Sequence, residues 1–292
     1  MTVRIDGKAL ADEIVEKVAL DVASFKQNYQ VTPGLAVVLV GEDPASAVYV
    51  RNKVKRAKQA GLKSTEHYLP NDTTQEVLDD LISQLNNDES VHGILVQLPL
   101  PNQLSESRVI KAISPAKDVD GFHPENVGRL VTGQQALVPC TPLGCMIMLN
   151  RQFSDLSGKH AVVIGRSNIV GKPMASLLLQ ANCTVSVVHS KTQNIESFCQ
   201  NADILIVAVG QPLLVKNNWV KPGAVIIDVG INSVQIDGKR KLAGDVDYDA
   251  VFPTASAITP VPGGVGPMTI ACLMQNTLTA AQHQLGVLPS VS

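Results

Sequence analysis

The feature that most constrains the fold is an apolar run that breaks into a glycine turn and then into a helical pattern, Ala161–Met174. Residues 160–164 are predicted to form a buried strand, Gly165 the tight turn after it, and residues 169–180 a helix. The N–H groups in the first turn of a helix lack intrahelical partners, so they are able to receive a phosphate group. The stretch therefore predicts either a dinucleotide-binding unit or the purely structural strand–turn–helix connection that any doubly wound protein contains.

Two glycines and one serine define this turn. Compared with the usual G-x-G-x-x-G fingerprint, the chain keeps the outer glycines, Gly165 and Gly171, and has Ser167 in the middle. Gly171 allows helix and strand to pack closely, and the Ser167 hydroxyl is able to donate to a phosphate. Its side chain also limits how closely the backbone approaches that phosphate, so the turn alone leaves both interpretations open.

The segment after the next strand bears on the choice of cofactor. Thr184–Val188 is predicted to be that strand, and an NAD-selective site places Asp or Glu roughly 20 residues after the glycines. The chain has no carboxylate there, whereas Arg166, Ser190 and Lys191 offer a cation and donors to a 2′-phosphate. NADP is therefore favoured over NAD as the cofactor. The alternative is that Ser190 and Thr192 only begin the next helix and that Lys191 is solvated.

Length and composition limit the class of protein. The 292 residues are enough for two domains. Lys and Arg number 24 against 26 Asp and Glu and form no long run, which argues against a nucleic-acid partner. The N-terminus is charged throughout and no apolar run reaches about 18 residues, so we expect no membrane partner and a cytoplasmic location. The five cysteines are scattered and the six histidines stand singly, which indicates a reducing compartment and no metal site.

Before residue 140 the chain alternates between predicted strands and helices. The strand candidates are Leu35–Val40, Thr65–Leu69 and Gly93–Leu98. Helical spacing fills the segments between them, from Pro44 to about Ala60 and over Thr74–Leu85. Alternation of this kind builds an open parallel sheet. Because this part lacks a glycine fingerprint, we expect it to hold the substrate.

The second half contains further strands and a turn-rich loop. Asp203–Val209 and Ala224–Val229 are predicted to be buried strands, and the polar insertion Asn232–Lys241 has a hairpin signal at Asp237–Gly238. A loop rich in glycine and proline, Thr259–Pro267, precedes a final helix that begins directly after it. The predicted fold class is therefore α/β, with two open parallel-sheet domains.

Four polar side chains stand where an open sheet binds ligands, beyond the carboxyl ends of strands. Tyr49 and Lys53 share one helix face, so the ring is able to stack on a flat substrate while the ammonium reaches its reacting end. Gln97 ends a strand and is able to orient both a substrate and Lys53. Asp120, in the predicted long loop Ser114–Pro139, is able to pair with an aminopyrimidine edge. The structural alternatives are a half-buried tyrosine beside a surface lysine, a strand-end amide that satisfies loop backbone, and a turn aspartate.

Six short motifs, in order over nearly the whole chain, resemble one family. They are Y-V-R-N-K at Tyr49–Lys53, V-Q-L-P-L-P at Val96–Pro101, K-D-V-D-G-F-H at Lys117–His123, P-C-T-P at Pro139–Pro142, G-R-S-N-I-V-G-K-P at Gly165–Pro173 and P-V-P-G-G-V-G-P-M-T at Pro260–Thr269. Together they make the sequence similar to the bifunctional methylenetetrahydrofolate dehydrogenase/methenyltetrahydrofolate cyclohydrolases. Six motifs in register are far more specific than any one of them.

The resemblance implies a two-step activity in one-carbon metabolism. With NADP as cofactor, 5,10-methylenetetrahydrofolate would be oxidised to the 5,10-methenyl cation, which would then be hydrolysed to 10-formyltetrahydrofolate. The implied architecture is an N-terminal folate-binding domain, residues 1–139, and a Rossmann-type NADP-binding domain, residues 140–268. A final helix, residues 269–292, would return to pack on the first domain. The implied partners are tetrahydrofolate one-carbon derivatives and a second copy of the chain in a homodimer.

Residue roles follow from the positions that match the family's motifs. Lys53 would activate water or stabilise the hydrated intermediate, and Gln97 would place Lys53. Tyr49 would stack on the folate, and Asp120 would anchor the pterin. The other implied folate contacts are Val96, Leu98, Pro262, Gly263, Gly264, Val265 and Gly266, and the implied cofactor contacts are Gly165, Arg166, Ser167, Ile169, Gly171, Ser190 and Ile231.

Two alternatives stay open beside this interpretation. The first is a monofunctional methylenetetrahydrofolate dehydrogenase that has lost the hydrolysis, and the presence of both Lys53 and Gln97 argues against it. The second is a noncatalytic NADP-binding module, which would leave Tyr49, Lys53, Gln97 and Asp120 without a role.

Overall fold

The computed structural model describes residues 1–236 and 239–287. The predicted turn at Asp237–Gly238 and residues 288–292 of the predicted final segment lie outside the described residues. The chain forms two units, and each is described by itself. The six-stranded unit contains Met1–Ala11 and Thr141–Thr269, and the three-stranded unit contains Asp12–Cys140 and the chain from Ile270 onward.

Helices and strands alternate along most of the chain, as the sequence predicts. In order they are β1 (Val3–Arg4), α1 (Gly7–Tyr29), β2 (Gly34–Val40), α2 (Pro44–Gln59), β3 (Lys63–Leu69), α3 (Gln75–Asn87), β4 (Gly93–Val96), α4 (Glu106–Ala112), α5 (Pro124–Val131), α6 (Cys140–Gln152), β5 (His160–Ile164), α7 (Gly171–Gln180), β6 (Thr184–Val188), α8 (Ile195–Cys199), β7 (Ile204–Val207), a 3-10 turn (Asn217–Trp219), β8 (Val225–Asp228), β9 (Asn232–Ile236), β10 (Lys239–Ala243), α9 (Tyr248–Val251), β11 (Ala257–Ile258) and α10 (Val265–Gln284). The predicted α/β class with parallel sheets is confirmed.

The three-stranded unit is organised around β2. This strand is buried along its whole length and pairs in parallel with β3 on one side and β4 on the other. Alternate residues of β2 and β4 form one core with apolar side chains of α3 and α4; the core includes Ala36, Val38, Ile94, Val96, Leu78, Ile82 and Val109. The chain runs from β2 to β3 on one side and later returns to β4 on the other side of β2. At such a switch point an open sheet binds ligands beyond the carboxyl ends of its strands, here β2 and β4.

Local signals fix the helix that follows β2. The Asp43 carboxylate accepts the Ser46 N–H at 2.7 Å and so caps the first turn of α2, an arrangement that contributes about 1 kcal/mol. Gly61, with φ of +75°, lies just beyond the helix end. The helix between these two signals carries both Tyr49 and Lys53.

The six-stranded sheet of this unit has the strand order β1-β11-β8-β7-β5-β6, and each neighbouring pair in it is parallel. The chain runs from β5 to β6 on one side and then crosses to β7 on the other side of β5. Such a switch point leaves a crevice beyond the carboxyl ends of β5 and β7. The antiparallel hairpin of β9 and β10 is a separate two-stranded ribbon.

The N-terminal residues differ from the predicted domain boundary. β1 pairs in parallel with β11, so residues 1–11 belong to the six-stranded unit, whereas the sequence placed them in the folate-binding domain. A strand of two residues has no periodicity of its own and is defined only by the partner it pairs with. The N-terminal boundary is therefore not visible in the sequence.

Two helices also differ from their predictions. The predicted long loop Ser114–Pro139 contains α5, whose first turn is capped by His123 Nδ1 accepting the Glu125 N–H. The final helix begins at Val265, inside the predicted turn-rich loop. Pro267 does not prevent this. A proline has no backbone N–H, but the residues in the first turn of a helix do not donate to an intrahelical partner.

The final helix α10 changes units along its length, as the resemblance implies. From Ile270 onward it belongs to the three-stranded unit. There the Asn276 Nδ2 donates to the Val119 carbonyl at 2.9 Å and to the Val138 carbonyl at 2.8 Å. Gln284 Nε2 donates to the His92 carbonyl at 2.8 Å.

Three further observations concern the residues within 1–236 and 239–287. None of the helices in these ranges is long and apolar enough to cross a membrane. No group of three or more His, Cys, Asp or Glu in the same ranges is placed to hold a metal ion. The five cysteines are buried and unpaired by disulfides.

Candidate active site

Lys53 and Gln97 meet in the three-stranded unit. Lys53 lies on α2, which follows the central strand β2, and Gln97 directly follows β4. Lys53 Nζ donates to Gln97 Oε1 at 3.0 Å, although the lysine is only 9% exposed. Two neighbouring parallel strands end at the same sheet edge, which brings these distant residues together. The predicted contact between Gln97 and Lys53 is present.

The side-chain amide of Gln97 is held in one orientation. Its Nε2 donates to the Leu98 carbonyl, and its backbone N–H donates to the Val38 carbonyl at 2.9 Å. Only the amide nitrogen is able to donate to a carbonyl, so the amide oxygen has to point to Lys53. Gln97 therefore fixes the lysine amine and occupies one of its N–H groups.

Tyr49 lies one helical turn before Lys53 on the same face of α2. Tyr49 is 38% exposed. Its partial burial raises the pKa of the hydroxyl above the ordinary value for tyrosine. The hydroxyl is therefore protonated at neutral pH. A partly exposed ring beside a buried amine provides the surface that stacking on a flat substrate needs.

Asp120 comes close to Lys53 through a segment that runs beside β4. Ile94 in β4 forms a parallel bridge with Asp118, and its N–H donates to the Lys117 carbonyl at 2.7 Å. Burial raises the pKa of the Asp120 carboxyl, whereas the positive charge of Lys53 lowers it. The predicted lysine and aspartate therefore lie within electrostatic range of each other.

Asp118, which the sequence analysis did not select, holds the turn that carries Asp120. Its carboxylate is buried and accepts the His123 N–H at 2.7 Å and the Asn126 Nδ2 at 2.9 Å. Gly121 has φ of +74°, and a Cβ there would lie 2.5 Å from a backbone nitrogen. The D-x-D-G spacing is the signal in the sequence that marks both aspartates, Asp118 for the turn and Asp120 as the predicted site residue.

Both neighbours of Gln97 in the chain, Val96 and Leu98, border a small cavity. It is lined by Ile94, Val96, Leu98, Val109, Ile110, Ile113, Asp118, Asp120 and Phe122. Val96 is 5% exposed and belongs to the core of the unit. Leu98 is half-buried.

In the six-stranded unit the glycine turn forms as predicted. Gly165 follows β5 with φ of +118°, and a Cβ there would lie 2.3 Å from the Ala208 carbonyl oxygen. A Cβ at Gly171 would lie 2.3 Å from the Gly165 carbonyl oxygen. Strand end, turn and helix start are packed backbone against backbone, which confirms the close packing predicted for Gly171. The turn lies at the switch point of β5 and β7.

The Ser167 side chain holds the turn directly before the helix that was predicted to meet a phosphate. Its Oγ accepts the N–H groups of Val170 at 3.1 Å and Gly171 at 3.3 Å. Val170 is the N-cap residue, and α7 begins at Gly171 and not at Ile169 as predicted. Two N–H groups at the helix start are already engaged, and the Ser167 hydroxyl hydrogen is the group that this side chain offers to a phosphate.

The other predicted cofactor contacts lie at the surface of the six-stranded unit. Arg166, Ile169 and Ser190 are exposed, and Ile231 is 43% exposed. Ser190 lies in the turn after β6, and α8 begins only at Ile195. The alternative that Ser190 opens the next helix is therefore wrong. An exposed cation and an exposed hydroxyl are both accessible to a phosphate group.

The predicted folate contacts Pro262–Gly266 divide between a loop and the first turn of α10. Gly263 has φ of +102°, and its carbonyl accepts the Lys8 N–H at 3.0 Å. A Cβ at Gly266 would lie 3.4 Å from Ile231 Cδ1. One predicted folate contact and one predicted cofactor contact are thus neighbours within the six-stranded unit.

Both parts of the chain match models of one family, described as tetrahydrofolate dehydrogenase/cyclohydrolase. The catalytic-domain model matches residues 5–120. The NAD(P)-binding-domain model matches residues 139–285.

Relatives and solved structures agree with these matches. Bifunctional protein FolD 3 of Ectopseudomonas mendocina (strain ymp) is 60% identical over 280 residues, which are 96% of this chain and 91% of the relative. The bifunctional enzyme FolD-methylenetetrahydrofolate dehydrogenase/cyclohydrolase from Campylobacter jejuni is 47% identical with a TM-score of 0.93, over 97% of this chain and 100% of that chain. The Trypanosoma brucei methylenetetrahydrofolate dehydrogenase-cyclohydrolase, complexed with NADP cofactor and inhibitor, is 39% identical with a TM-score of 0.93, over 97% and 98% of the two chains. This chain therefore belongs to the tetrahydrofolate dehydrogenase/cyclohydrolase family.

Proposed function

We propose that this chain catalyses two consecutive reactions on one folate. It oxidises 5,10-methylenetetrahydrofolate with NADP+ to 5,10-methenyltetrahydrofolate, and it hydrolyses the methenyl compound to 10-formyltetrahydrofolate. Family membership and 60% identity to a bifunctional relative support both activities. The observation that carries the proposal is the hydrogen bond of the buried Lys53 to Gln97, because a second, hydrolytic step needs a positioned proton-handling group.

The hydrolysis requires proton transfer beside the one-carbon unit. Water loses one proton as its oxygen bonds to the methenyl carbon, which gives a neutral hydrated intermediate. The hydroxyl of that intermediate then loses the second proton to form the formyl C=O, as a ring nitrogen takes up a proton and its bond to the carbon breaks, so that one proton is released overall. We assign this work to Lys53, which activates the water or stabilises the hydrated intermediate. Gln97 holds the Lys53 amine at 3.0 Å, and the Asp120 carboxyl lies within electrostatic range of it.

The oxidation depends on alignment more than on a base. The methylene carbon lies between two nitrogens whose lone pairs assist departure of the hydride, so no proton is removed in this step. When bound, NADP+ supplies the hydride acceptor. Tyr49 holds the folate by stacking on its ring system, and Asp120 holds the pterin by pairing with its aminopyrimidine edge.

The six-stranded unit fits a dinucleotide phosphate. The turn lacks Cβ atoms at Gly165 and Gly171, the positions where backbone packs most closely, and a Ser167 hydroxyl hydrogen is left to donate. The exposed Arg166 and Ser190 suit a 2′-phosphate, which favours NADP over NAD. The residues that would hold the cofactor are Gly165, Arg166, Ser167, Ile169, Gly171, Ser190 and Ile231.

We assign the two ligands to the two units. Residues 12–140, with the chain from 270 onward, would hold the folate together with the predicted contacts at Pro262–Gly266, and the rest of residues 1–11 and 141–269 would hold NADP. The resemblance also supports a cytoplasmic homodimer. Light scattering on the purified protein tests the dimer, for which the expected mass is twice the 31.1 kDa of the chain.

The activity test mixes purified protein with 5,10-methylenetetrahydrofolate and either NADP+ or NAD+. Absorbance follows reduced nicotinamide and the methenyl species together. NADPH that appears with little methenyl accumulation is the expected result, because hydrolysis then keeps pace with oxidation. Supplying the methenyl compound without any nicotinamide measures the hydrolysis separately.

Each other outcome selects a different function. Methenyl that accumulates in step with NADPH would identify a monofunctional dehydrogenase and would remove the role given to Lys53 and Gln97. Folded protein that reduces neither NADP+ nor NAD+ would favour the alternative of a noncatalytic NADP-binding module. In that case a folate would also fail to protect the protein against thermal unfolding.

A further inference from the structure

Two buried carboxylates of the six-stranded unit take no part in the chemistry described above. Asp228, at the end of β8, is 3% exposed, and Asp245, shortly after β10, is 0% exposed. A buried carboxylate is costly unless hydrogen-bond donors surround it. Both carboxylates have such donors, and most of these are backbone N–H groups of loops.

Asp228 fixes the backbone around Asp245. Its Oδ1 accepts the N–H groups of Gly230 and Asp245, each at 3.0 Å, and its Oδ2 accepts the Val246 N–H at 2.9 Å. A Cβ at Gly244 would lie 1.8 Å from Asp228 Oδ2, so the backbone of this segment packs directly on the carboxylate. The segment is thereby held at the end of β8.

Asp245 reaches two other loops from this fixed position. Its Oδ2 accepts the Val209 N–H at 2.7 Å and the Gly210 N–H at 2.9 Å, both in the loop that follows β7. Its Oδ1 accepts Asn232 Nδ2 at 2.8 Å. All three donors lie beyond the carboxyl ends of β7 and β8, and none belongs to the six-stranded sheet.

The loops that Asp245 holds adjoin residues proposed to bind NADP. The carbonyl oxygen of the residue before Val209 lies 2.3 Å from where a Cβ of Gly165 would be. Asn232 is the immediate neighbour of the exposed Ile231 in the chain. A shift of either loop therefore displaces the glycine turn or Ile231.

We propose that Asp245 is a positioning residue of the dehydrogenase reaction, which sets the shape of two cofactor-binding loops through its three hydrogen bonds. The inference rests on the proposed NADP site. The ladder of β5, β7 and β8 is complete without these bonds, so they fix the loops more than the sheet. Asp228 supports this role because it fixes the backbone of Asp245.

Three variants test the pairing of Asp245 with Asn232. In Asp245→Asn the new amide group faces either the Asn232 amide or the loop N–H groups, so one donor meets another donor. Asn232→Asp alone brings a second carboxylate against Asp245. The double variant Asp245→Asn/Asn232→Asp restores a donor opposite an acceptor between the two side chains and keeps the net charge of the wild type. It does not restore the longer contact of Asn232 Nδ2 with the Ala243 carbonyl, at 3.4 Å, so a small part of the loss is expected to remain.

Asp247→Asn is the matched control. Asp247 lies two residues further on, where it caps α9 through the Ala250 N–H at 3.5 Å and pairs with Lys216 at 2.9 Å. Its loss affects stability by a helix cap and an ion pair but leaves the cofactor-binding loops in place. Four quantities are measured on each protein: NADP+ affinity by calorimetry, amide hydrogen exchange over residues 209–210 without cofactor, KM for NADP+ with kcat, and hydrolysis of the methenyl compound.

Each single variant is expected to bind NADP+ about tenfold more weakly, the loss that follows when one buried polar group is left unpaired. Its exchange over residues 209–210 is expected to be faster, while hydrolysis of the methenyl compound is unchanged. The double variant is expected to recover most of the lost affinity, because the two substitutions are coupled through one hydrogen bond. The Asp247→Asn control is expected to bind NADP+ as the wild type does.

The inference is overturned if Asp245→Asn binds NADP+ as tightly as the wild type, or if the double variant is no better than the weaker single variant. A parallel loss of hydrolysis and NADP+ affinity would also overturn it, since that would indicate a general defect of the fold. Wild-type protein that does not bind NADP+ at all would instead refute the proposed function.

Discussion

The two units use their charged side chains in opposite ways. In the three-stranded unit the lysine assigned to the chemistry is itself in the site, with Gln97 placing the Lys53 amine at 3.0 Å. In the six-stranded unit the predicted phosphate contact is a backbone turn around Gly165, and the carboxylates Asp228 and Asp245 lie buried beyond the strand ends. Under the proposed roles, a charged side chain acts on the substrate in the three-stranded unit, whereas the six-stranded unit contacts the cofactor through a backbone turn and the exposed Arg166 and uses its buried carboxylates to support loops.

This difference teaches how substitutions should act. Removing a side chain that takes part in the reaction abolishes one chemical step and leaves the backbone unchanged. Filling the space of a glycine or removing a support changes the shape of a loop, so binding and stability change together. Substitutions in each unit test whether the two units obey these different rules.

The largest effect is expected for Lys53→Met, which removes the amine and keeps an unbranched side chain. Loss of a positioned general acid–base group costs about 10²–10⁴-fold in rate, so the cyclohydrolase activity is expected to be abolished. The dehydrogenase, which needs alignment more than a base, is expected to fall much less. Assay of the methenyl compound alone separates the two activities.

Lys55→Met is the matched control for this prediction. Lys55 is an exposed lysine on the same helix, so its substitution changes charge and helix composition without touching Gln97. It is expected to keep both activities. Normal hydrolysis by the Lys53 variant would show that the lysine takes no part in the reaction. The two units would then not differ in how they use their charged side chains.

The second prediction concerns Gly165→Ala in the backbone site. A Cβ would lie 2.3 Å from the Ala208 carbonyl oxygen, and φ of +118° is unfavourable for alanine. Strain of this kind costs about 1–3 kcal/mol before the clash is added, so both the free energy of unfolding and the NADP+ affinity are expected to fall. Denaturant unfolding and NADP+ titration measure the two quantities.

Gly158→Ala separates strain from packing. Gly158 has φ of +73°, but nothing lies within 4 Å of a Cβ there. The free energy of unfolding of this variant is expected to fall by only about 1 kcal/mol, the cost of the left-handed backbone conformation for alanine. The variant is expected to bind NADP+ normally. Equal losses in the two alanine variants would mean that close packing at the turn does not matter.

Much of the fold was predictable because its strands are short runs with clear ends. β5 and β6 have the predicted bounds, since each run is followed by a turn signal. The two-residue strand β1 was missed because pairing with β11 is its only definition. The helix α5 was missed because eight residues give only two turns of periodicity. Tertiary pairing and length, not residue type, limited the prediction.

The candidate site divides in the same way. Lys53 and Gln97 were accessible to prediction because both follow strands whose ends meet in any open parallel sheet. Asp245 gave no such signal, since its role depends on the Val209 N–H, 36 residues earlier in the chain. The loop N–H groups that surround a buried carboxylate come together only in the folded chain, so the sequence does not show which aspartate they surround.

The third prediction is a smaller effect at the surface of the six-stranded unit. Arg166→Ala removes an exposed cation proposed to meet the 2′-phosphate. Loss of one charge-assisted contact is expected to raise KM for NADP+ about tenfold. NAD+ is the matched control because it lacks that phosphate, so its use is expected to change little. Unchanged binding of both cofactors would place the 2′-phosphate elsewhere.

The smallest effect is a difference in how the two units respond to pH. In the three-stranded unit His92 Nδ1 accepts the Gly34 N–H at 3.0 Å. Burial, and then the charge of Lys117, lowers the pKa of His92. Its contribution to stability is therefore complete above about pH 6.5, the ordinary pKa of histidine, and is lost as the pH falls through the lower folded value.

Asp228 in the six-stranded unit has the opposite sign. Burial raises its pKa to about 7, against the effect of three N–H donors and with a further rise from the charge of Asp245. Its contribution is complete below the ordinary carboxyl pKa and is lost as the pH rises through about 7. Acidification from pH 7.5 to 5.5 should therefore weaken the three-stranded unit and strengthen the six-stranded one.

Hydrogen exchange in β2 and β8 measures the two responses separately, after correction for the intrinsic pH dependence of exchange. His92→Asn keeps an acceptor for the Gly34 N–H but does not titrate, so it is expected to flatten the response of β2 and leave that of β8. Asp228→Asn is expected to do the reverse. If both strands change protection in the same direction in the wild type, buried titratable groups do not act locally, and the two units cannot be treated as independently supported.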